Sequence, residues 1–145
     1  MKPEIIEGGL AVDDRGSVLF ANDLRISNYR RFYVINNHAT GFVRAWHGHK
    51  YESKVFVPVR GTMLVGAVQI DHWGSPSKTS EVTRVVLSAS KPCALSIPAG
   101  FANGSMSLTS DAQLLVFSSS SLEDSLNDDY RYPADHWNIW SVEQR

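Results

Sequence analysis

Apolar residues in this chain recur at every second position in short runs, and glycine, proline or acidic turns break each run before a helix can develop. That pattern restricts the chain to a layered β fold. Ser17 to Ala21 alternates after the turn signal Asp13-Asp14-Arg15-Gly16, and Phe32 to Asn36 is rich in β formers. Gly41 to His47, Lys54 to Val59, Thr62 to Asp71, Glu81 to Ser88, Ala94 to Ile97 and Gln113 to Ser118 continue the series. About eight short strands at roughly ten-residue spacing predict an all-β sandwich or jelly-roll barrel. Arg60-Gly61 reads as a hairpin turn, and Pro58, inside a strand-like run, predicts an edge position or a bulge.

A length of 145 residues suits one domain, expected over residues 1–145 with a barrel core at 13–118 and a tail at 119–145. In that tail Leu122 to Leu126 predicts one or two helical turns, and Tyr130-Arg131-Tyr132-Pro133 an extended exit. Two tryptophans, Trp137 and Trp140, predict that the tail docks on the barrel or on a second subunit.

The net charge of −1 gives no electrostatic reason to bind nucleic acid or a membrane surface. Acids at Glu4, Glu7, Asp13 and Asp14 interrupt any signal-peptide core, and no apolar run is long enough to span a bilayer. Cys93 is the only cysteine, so no internal disulfide forms. A cytoplasmic location is the expectation.

The segment that carries chemistry is Gly41-Phe-Val-Arg44-Ala-Trp46-His47-Gly-His49-Lys50-Tyr-Glu52-Ser-Lys54, closed by Gly61. Residues two apart on a strand share a face, so His47 and His49 look into one space, with Lys54 on the following strand. Isolated histidines such as His38, His72 and His136 read as ordinary packing or surface residues. A pair turned toward a barrel interior is costly to desolvate without a partner, which marks His47 and His49 as functional. In a regular strand Arg44 would share the opposite face with Trp46, so only a bulge brings it to the histidines.

The spacing resembles the first motif of metal-binding cupins, with Lys54 standing where that motif has glutamate. Pro98-Ala99-Gly100-Phe101-Ala102-Asn103 resembles the second, with Asn103 in place of histidine. An ammonium repels a divalent cation, so neither a metal nor another cofactor is expected; Glu52 is the one substitute ligand on offer.

Across residues 13–118 the chain resembles the dTDP-4-dehydrorhamnose 3,5-epimerase family of cupins. The likeness rests on Asp14-Arg15-Gly16, Asn36-Asn37-His38, Gly41 to His47, Lys54-Val55 and Ile97 to Gly104. It implies a cupin-type jelly roll and a homodimer acting on a nucleotide sugar. It also implies His47 as base, Lys54 stabilising an enolate, and Arg15 and Arg44 on the diphosphate, with Asn37 and Asn103 as further substrate contacts. The family's catalytic tyrosine falls near Val116 and Phe117, where this chain has none, and its base-orienting aspartate has no evident counterpart. His47-Gly48-His49-Lys50 and the tail Asp128-Asp129-Tyr130-Arg131 are similar instead to nucleotide-sugar 3,4-ketoisomerases, which makes His49 a second catalytic candidate. Tyr51, Tyr130 and Tyr132 are candidates for the missing acid, with Tyr130 chosen. Tyr29, Tyr33 and Trp73 are candidates to stack on the nucleotide base. The expected activity is therefore epimerisation of a nucleoside-diphosphate 4-keto-6-deoxy sugar at C3, with C5 as a second position; ketone migration and sugar binding without catalysis are the alternatives.

Overall fold

A computed structural model describes residues 1–145. The strands are β1 (Glu4–Glu7), β2 (Gly9–Asp13), β3 (Gly16–Phe20), β4 (Arg31–Asn36), β5 (Val43–His49), β6 (Lys54–Arg60), β7 (Thr62–Gln69), β8 (Val82–Ser88), β9 (Cys93–Ile97), β10 (Phe101–Ser107), β11 (Gln113–Ser118) and β12 (Tyr130–Arg131). One helical turn, α1 (Leu122–Leu126), precedes β12; Ser121 caps it by accepting the Asp124 N–H. Two antiparallel five-stranded sheets face each other, in the orders β1-β9-β6-β11-β4 and β12-β5-β10-β7-β8, and β2-β3 forms a separate hairpin. The expected all-β cupin architecture is present.

Alternation within each strand sorts the side chains into layers. Inward residues Phe56, Met63, Val65, Leu87, Leu95, Phe101, Leu114 and Val116 fill the space between the sheets at one end. Outward residues Val55 and Val57 are covered by Leu19, Ala21, Leu24 and Tyr29 from the N-terminal segment. Pro58 sits in β6, a central strand, and not at an edge. A bulge accommodates it: β11 skips from Arg60 opposite Gln113 to Pro58 opposite Leu114. Gly61 does make a turn, at φ +61°, but the strands on either side of it enter different sheets. The expected hairpin is thus a barrel corner, because β7 finds its partners in β8 and β10.

The tail docks on the outer face of the second sheet. There Gly66 lies opposite Gly104, which in turn lies opposite Ala45, making a shallow trough of small residues. Trp46 and Trp140 fill it, with ring centroids 5.2 Å apart, and Trp137 packs edge-on to Trp46 at 5.4 Å. A Cβ on Gly66 would come within 2.5 Å of the Trp46 ring, and one on Gly104 within 2.6 Å of Ala45 Cβ. Both indole N–H groups in the trough donate to the Ala134 carbonyl. Burying rings of this size contributes on the order of 3 kcal/mol each, which fastens the tail and, with it, β12 along β5.

Candidate active site

The other end of the barrel interior is polar. His47 and His49 project inward from β5, with Asn103 of β10 directly across the ladder from His47. Lys54 enters from β6 and Tyr33 from β4, while Asp129 and Arg131 flank the opening from the β12 side. The cavity they enclose is about 360 Å³. Arg31 and Arg44 also line it, so three guanidinium groups and an ammonium surround one space.

Arg44 reaches the cavity because β5 bulges. Asn103 pairs with His47 and Gly104 with Ala45, so Trp46 is an extra residue with no partner on β10. Upstream of that insertion the parity inverts, and Arg44 comes opposite Ser105, on the same face as the histidines. The Ala45–Trp46 peptide is cis. Arg44 Nε donates to Asn37 Oδ1 at 2.7 Å, and Asn37 Nδ2 donates to Ser107 Oγ at 2.7 Å. Asn37 therefore anchors Arg44 from outside the cavity and does not line it.

Lys54 is almost wholly buried, at 7% exposure. Its ammonium donates to the Tyr33 hydroxyl at 2.9 Å and lies 3.2 Å from Glu52 Oε2. Since the hydroxyl oxygen accepts from Lys54, its own hydrogen is free to point elsewhere. Tyr33 is the cross-strand partner of Val116, so its phenol enters the site one strand away from where the family resemblance places a tyrosine.

The connection from β5 to β6 is tied down by one residue of the tail. The Asp128 carboxylate accepts the backbone N–H groups of Lys50 (2.7 Å), Tyr51 (2.9 Å) and Glu52 (3.1 Å). The Asp128 carbonyl lies 2.6 Å from His49 Nδ1, and because a carbonyl only accepts, Nδ1 carries the hydrogen.

Burial, followed by the Arg131 and Lys54 charges, pushes the His47 pKa down to about 4, while Asp129 acts in the opposite sense. His47 is thus neutral near pH 7 and able to accept a proton. Burial and Lys54 also lower His49, against the raising influence of Glu52. Burial alone would raise the Glu52 carboxyl, but Lys54, Ser125 and His49 together hold it below the usual carboxylate range. No three His, Cys, Asp or Glu side chains converge on a point where they could share a metal ion.

Besides Asn37, three groups of expected site residues lie outside the cavity. Tyr130 pairs with Gly48, whose missing side chain would point at Trp73, Tyr130 and Tyr132, so the Tyr130 ring lies on the outer face, 4.8 Å from Trp73. Tyr132 donates its hydroxyl hydrogen to the Trp73 carbonyl, and Tyr51 is exposed, so none of the three expected acids reaches the cavity. Arg15 sits at the tip of the β2-β3 hairpin, ion-paired with Asp13 and outside the cavity of its own chain. Tyr29 packs on Phe117 in the outer cluster and Trp73 on Tyr130, which removes both as cavity residues. Residues not anticipated in the site are Arg31, Ser105, Asp129 and Arg131; the cluster Asp128-Asp129-Tyr130-Arg131 was visible, but only its alternation in β12 separates the inward Arg131 from the outward Tyr130.

No curated protein sequence matches this chain. Among solved structures, the fold is similar to a 3'-monoepimerase from Streptomyces bikiniensis, at 24% identity and TM-score 0.73, over 92% of this chain and 71% of that one. It is similar to a dTDP-4-dehydrorhamnose 3,5-epimerase from Sulfolobus tokodaii, at 24% identity and TM-score 0.75, over 94% and 81%. It is also similar to a 3,4-ketoisomerase from Helicobacter canadensis, at 19% identity and TM-score 0.70, over 97% and 98%. The family model described as FdtA, WxcM-like, C-terminal, matches residues 1–139, and the chain therefore belongs to the WxcM-like C-terminal family.

Proposed function

We propose that this chain is an isomerase that epimerises a nucleoside-diphosphate 4-keto-6-deoxy sugar at C3, with C5 as a second position. The observation that carries the reading is a neutral imidazole, His47, sharing one cavity with a Lys54 ammonium hydrogen-bonded to the Tyr33 hydroxyl. A ketone at C4 acidifies the adjacent C–H bond, and His47 takes that proton. The enolate oxygen that forms is stabilised by Lys54, a cation held almost wholly buried at the cavity wall. Tyr33 then delivers its hydroxyl proton to the opposite face of C3, and solvent returns His47 and Tyr33 to their starting protonation. No cofactor enters, because the substrate's own carbonyl supplies the acidity.

Arg44 and Arg131 are suited to the diphosphate, since guanidinium groups match phosphate oxygens in bidentate geometry. An anion there would neutralise one of the charges that depress His47, so substrate binding strengthens the base. The comparisons with dTDP-sugar enzymes support the substrate class. The exposed apolar residues Leu10, Val12 and Val18 of the β2-β3 hairpin support a homodimer, in which Arg15 would serve a partner's cavity. No helix is long and apolar enough to cross a membrane, and we assign the enzyme to the cytoplasm, alongside its soluble substrate.

The second reading is migration of the ketone from C4 to C3. It is favoured by His49, whose Nε2 has no hydrogen-bond partner beside the same cavity and could move a proton between the two oxygens. Incubation with a nucleotide-4-keto-6-deoxyhexose in heavy water separates the cases. Deuterium at C3 with the carbonyl still at C4 is the expected result, and a carbonyl found at C3 selects the second reading. Absence of exchange with every nucleotide sugar tried overturns both and leaves a binding protein. Tyr33→Phe should retain substrate binding and lower the rate of epimer formation by roughly a hundredfold, the scale of one lost general acid. An unchanged rate would remove Tyr33 from the reaction.

A further inference from the structure

Three buried side-chain atoms lack a hydrogen bond, His49 Nε2 and both carboxylate oxygens of Glu52, and they face one another. Nε2 is 3.6 Å from Glu52 Oε2. A carboxylate buried to 2% exposure is costly to desolvate, and here its compensation is electrostatic: Lys54 Nζ at 3.2 Å and Arg31 Nη2 at 3.8 Å. Neither Glu52 nor its neighbours can drift, because the backbone of this connection hangs from Asp128. The same residue holds the hydrogen of His49 on Nδ1, so any further proton that His49 accepts must arrive at Nε2, directly opposite Glu52.

We propose that Glu52 is a positioning residue for the proton-transfer reaction, holding the Lys54 ammonium against the Tyr33 hydroxyl and reserving Nε2 of His49 as the place where an extra proton is carried. The proposal rests on the isomerase reading above for its purpose, though not for its geometry. The charged and titratable groups around His49 are Lys54 on β6, Glu52 on the connection, Asp128 before β12 and His47 on its own strand. Of these only Glu52 brings a carboxylate to Nε2, since the Asp128 carboxylate is occupied by three backbone N–H groups. The burial and the Lys54 charge that lower the His49 pKa are therefore opposed first by Glu52, facing Nε2, and then by Asp128, whose carbonyl is bonded to Nδ1. Lys54, in turn, has Glu52 on one side and Tyr33 on the other, which places its charge beside the acid.

The test is nitrogen-resolved NMR of the histidine rings in the full chain, wild type, Glu52→Gln and Glu52→Asp, titrated from neutral to acid pH. Wild-type neutral His49 is expected as the Nδ1–H tautomer, a result that needs no variant to fold. In Glu52→Gln the His49 midpoint should fall below the wild-type value, and Glu52→Asp should restore most of it. The turnover of Glu52→Gln in the exchange assay should drop tenfold to a hundredfold with KM within about twofold, the scale of one lost charge-assisted contact. An Nε2–H tautomer, a His49 midpoint identical in wild type and Glu52→Gln, or undiminished turnover would each overturn the proposal. If the wild type exchanges no nucleotide sugar, the isomerase reading fails by itself, and the tautomer and midpoints still decide the role of Glu52.

Discussion

Replacing His47 by asparagine should lower deuterium incorporation at C3 by about a thousandfold, within the range that a positioned general base contributes. Asparagine keeps a polar group across from Asn103 on β10 but has no basic nitrogen, so binding of the nucleotide sugar should survive. The comparison that makes this informative is the pH profile. Only neutral His47 accepts a proton, and burial with the Arg131 and Lys54 charges sets its pKa at about 4 in the free protein. Wild-type kcat/KM should therefore stay level as pH falls through the ordinary histidine range and decline only near pH 4. Because an anion on Arg131 removes one depressing charge, the limb seen in kcat should lie above that seen in kcat/KM. A limb at the unperturbed histidine value in kcat/KM, or a variant with undiminished exchange, would show that the base is another group.

Asp128→Ala should destabilise the fold by about 3 kcal/mol, measured as a lower urea midpoint with an unchanged slope. The substitution strands the N–H groups of Lys50, Tyr51 and Glu52, and Asp128 is itself buried. For a chain of this length that loss corresponds to a melting point lower by roughly 10 °C. Asp128→Asn keeps one good acceptor and should cost less than half as much. Equal stability of Asp128→Ala and wild type would mean that water replaces the carboxylate at no cost, and that the connection does not depend on it.

Much of the fold was legible because its strands announce themselves by alternation. Phe32 to Asn36, Lys54 to Val59 and Gln113 to Ser118 each appear within one or two residues of where that periodicity puts them. β10 escaped notice for a physical reason. Phe101-Ala-Asn-Gly-Ser-Met-Ser107 has scarcely any β-branched or aromatic residues, since it is buried on both faces between the cavity and the tryptophan trough. Its side chains must be small outward, as at Gly104, and polar inward, as at Asn103 and Ser105. Such a strand obeys its surroundings more than its propensities.

For the site, the strand period brought His47 and His49 together and put Lys54 near them, which is the local part of the geometry. Tyr33 lies on a run read correctly as a strand, yet its inward direction depends on which strands flank β4, and that is a long-range fact. Asp128 and Glu52 stood in segments that the sequence marks, but their roles did not show: Asp128 acts on backbone N–H groups and Glu52 on neighbouring cations, and neither contact leaves a spacing signature. Arg15 illustrates the opposite case, a motif residue whose position on an outlying hairpin separates it from the cavity that the motif suggested.

The additional residue in β5 makes that strand two modules joined at a phase boundary. Downstream of Trp46 the register belongs to the histidines; upstream it belongs to the arginine. Removing a single residue at the boundary would rotate Arg44 to the outer face, toward the tryptophan trough, while leaving His47 and His49 in place. The arginine and the histidines of one continuous strand can thus be changed separately, and one codon gained or lost is enough to take a guanidinium out of the cavity wall.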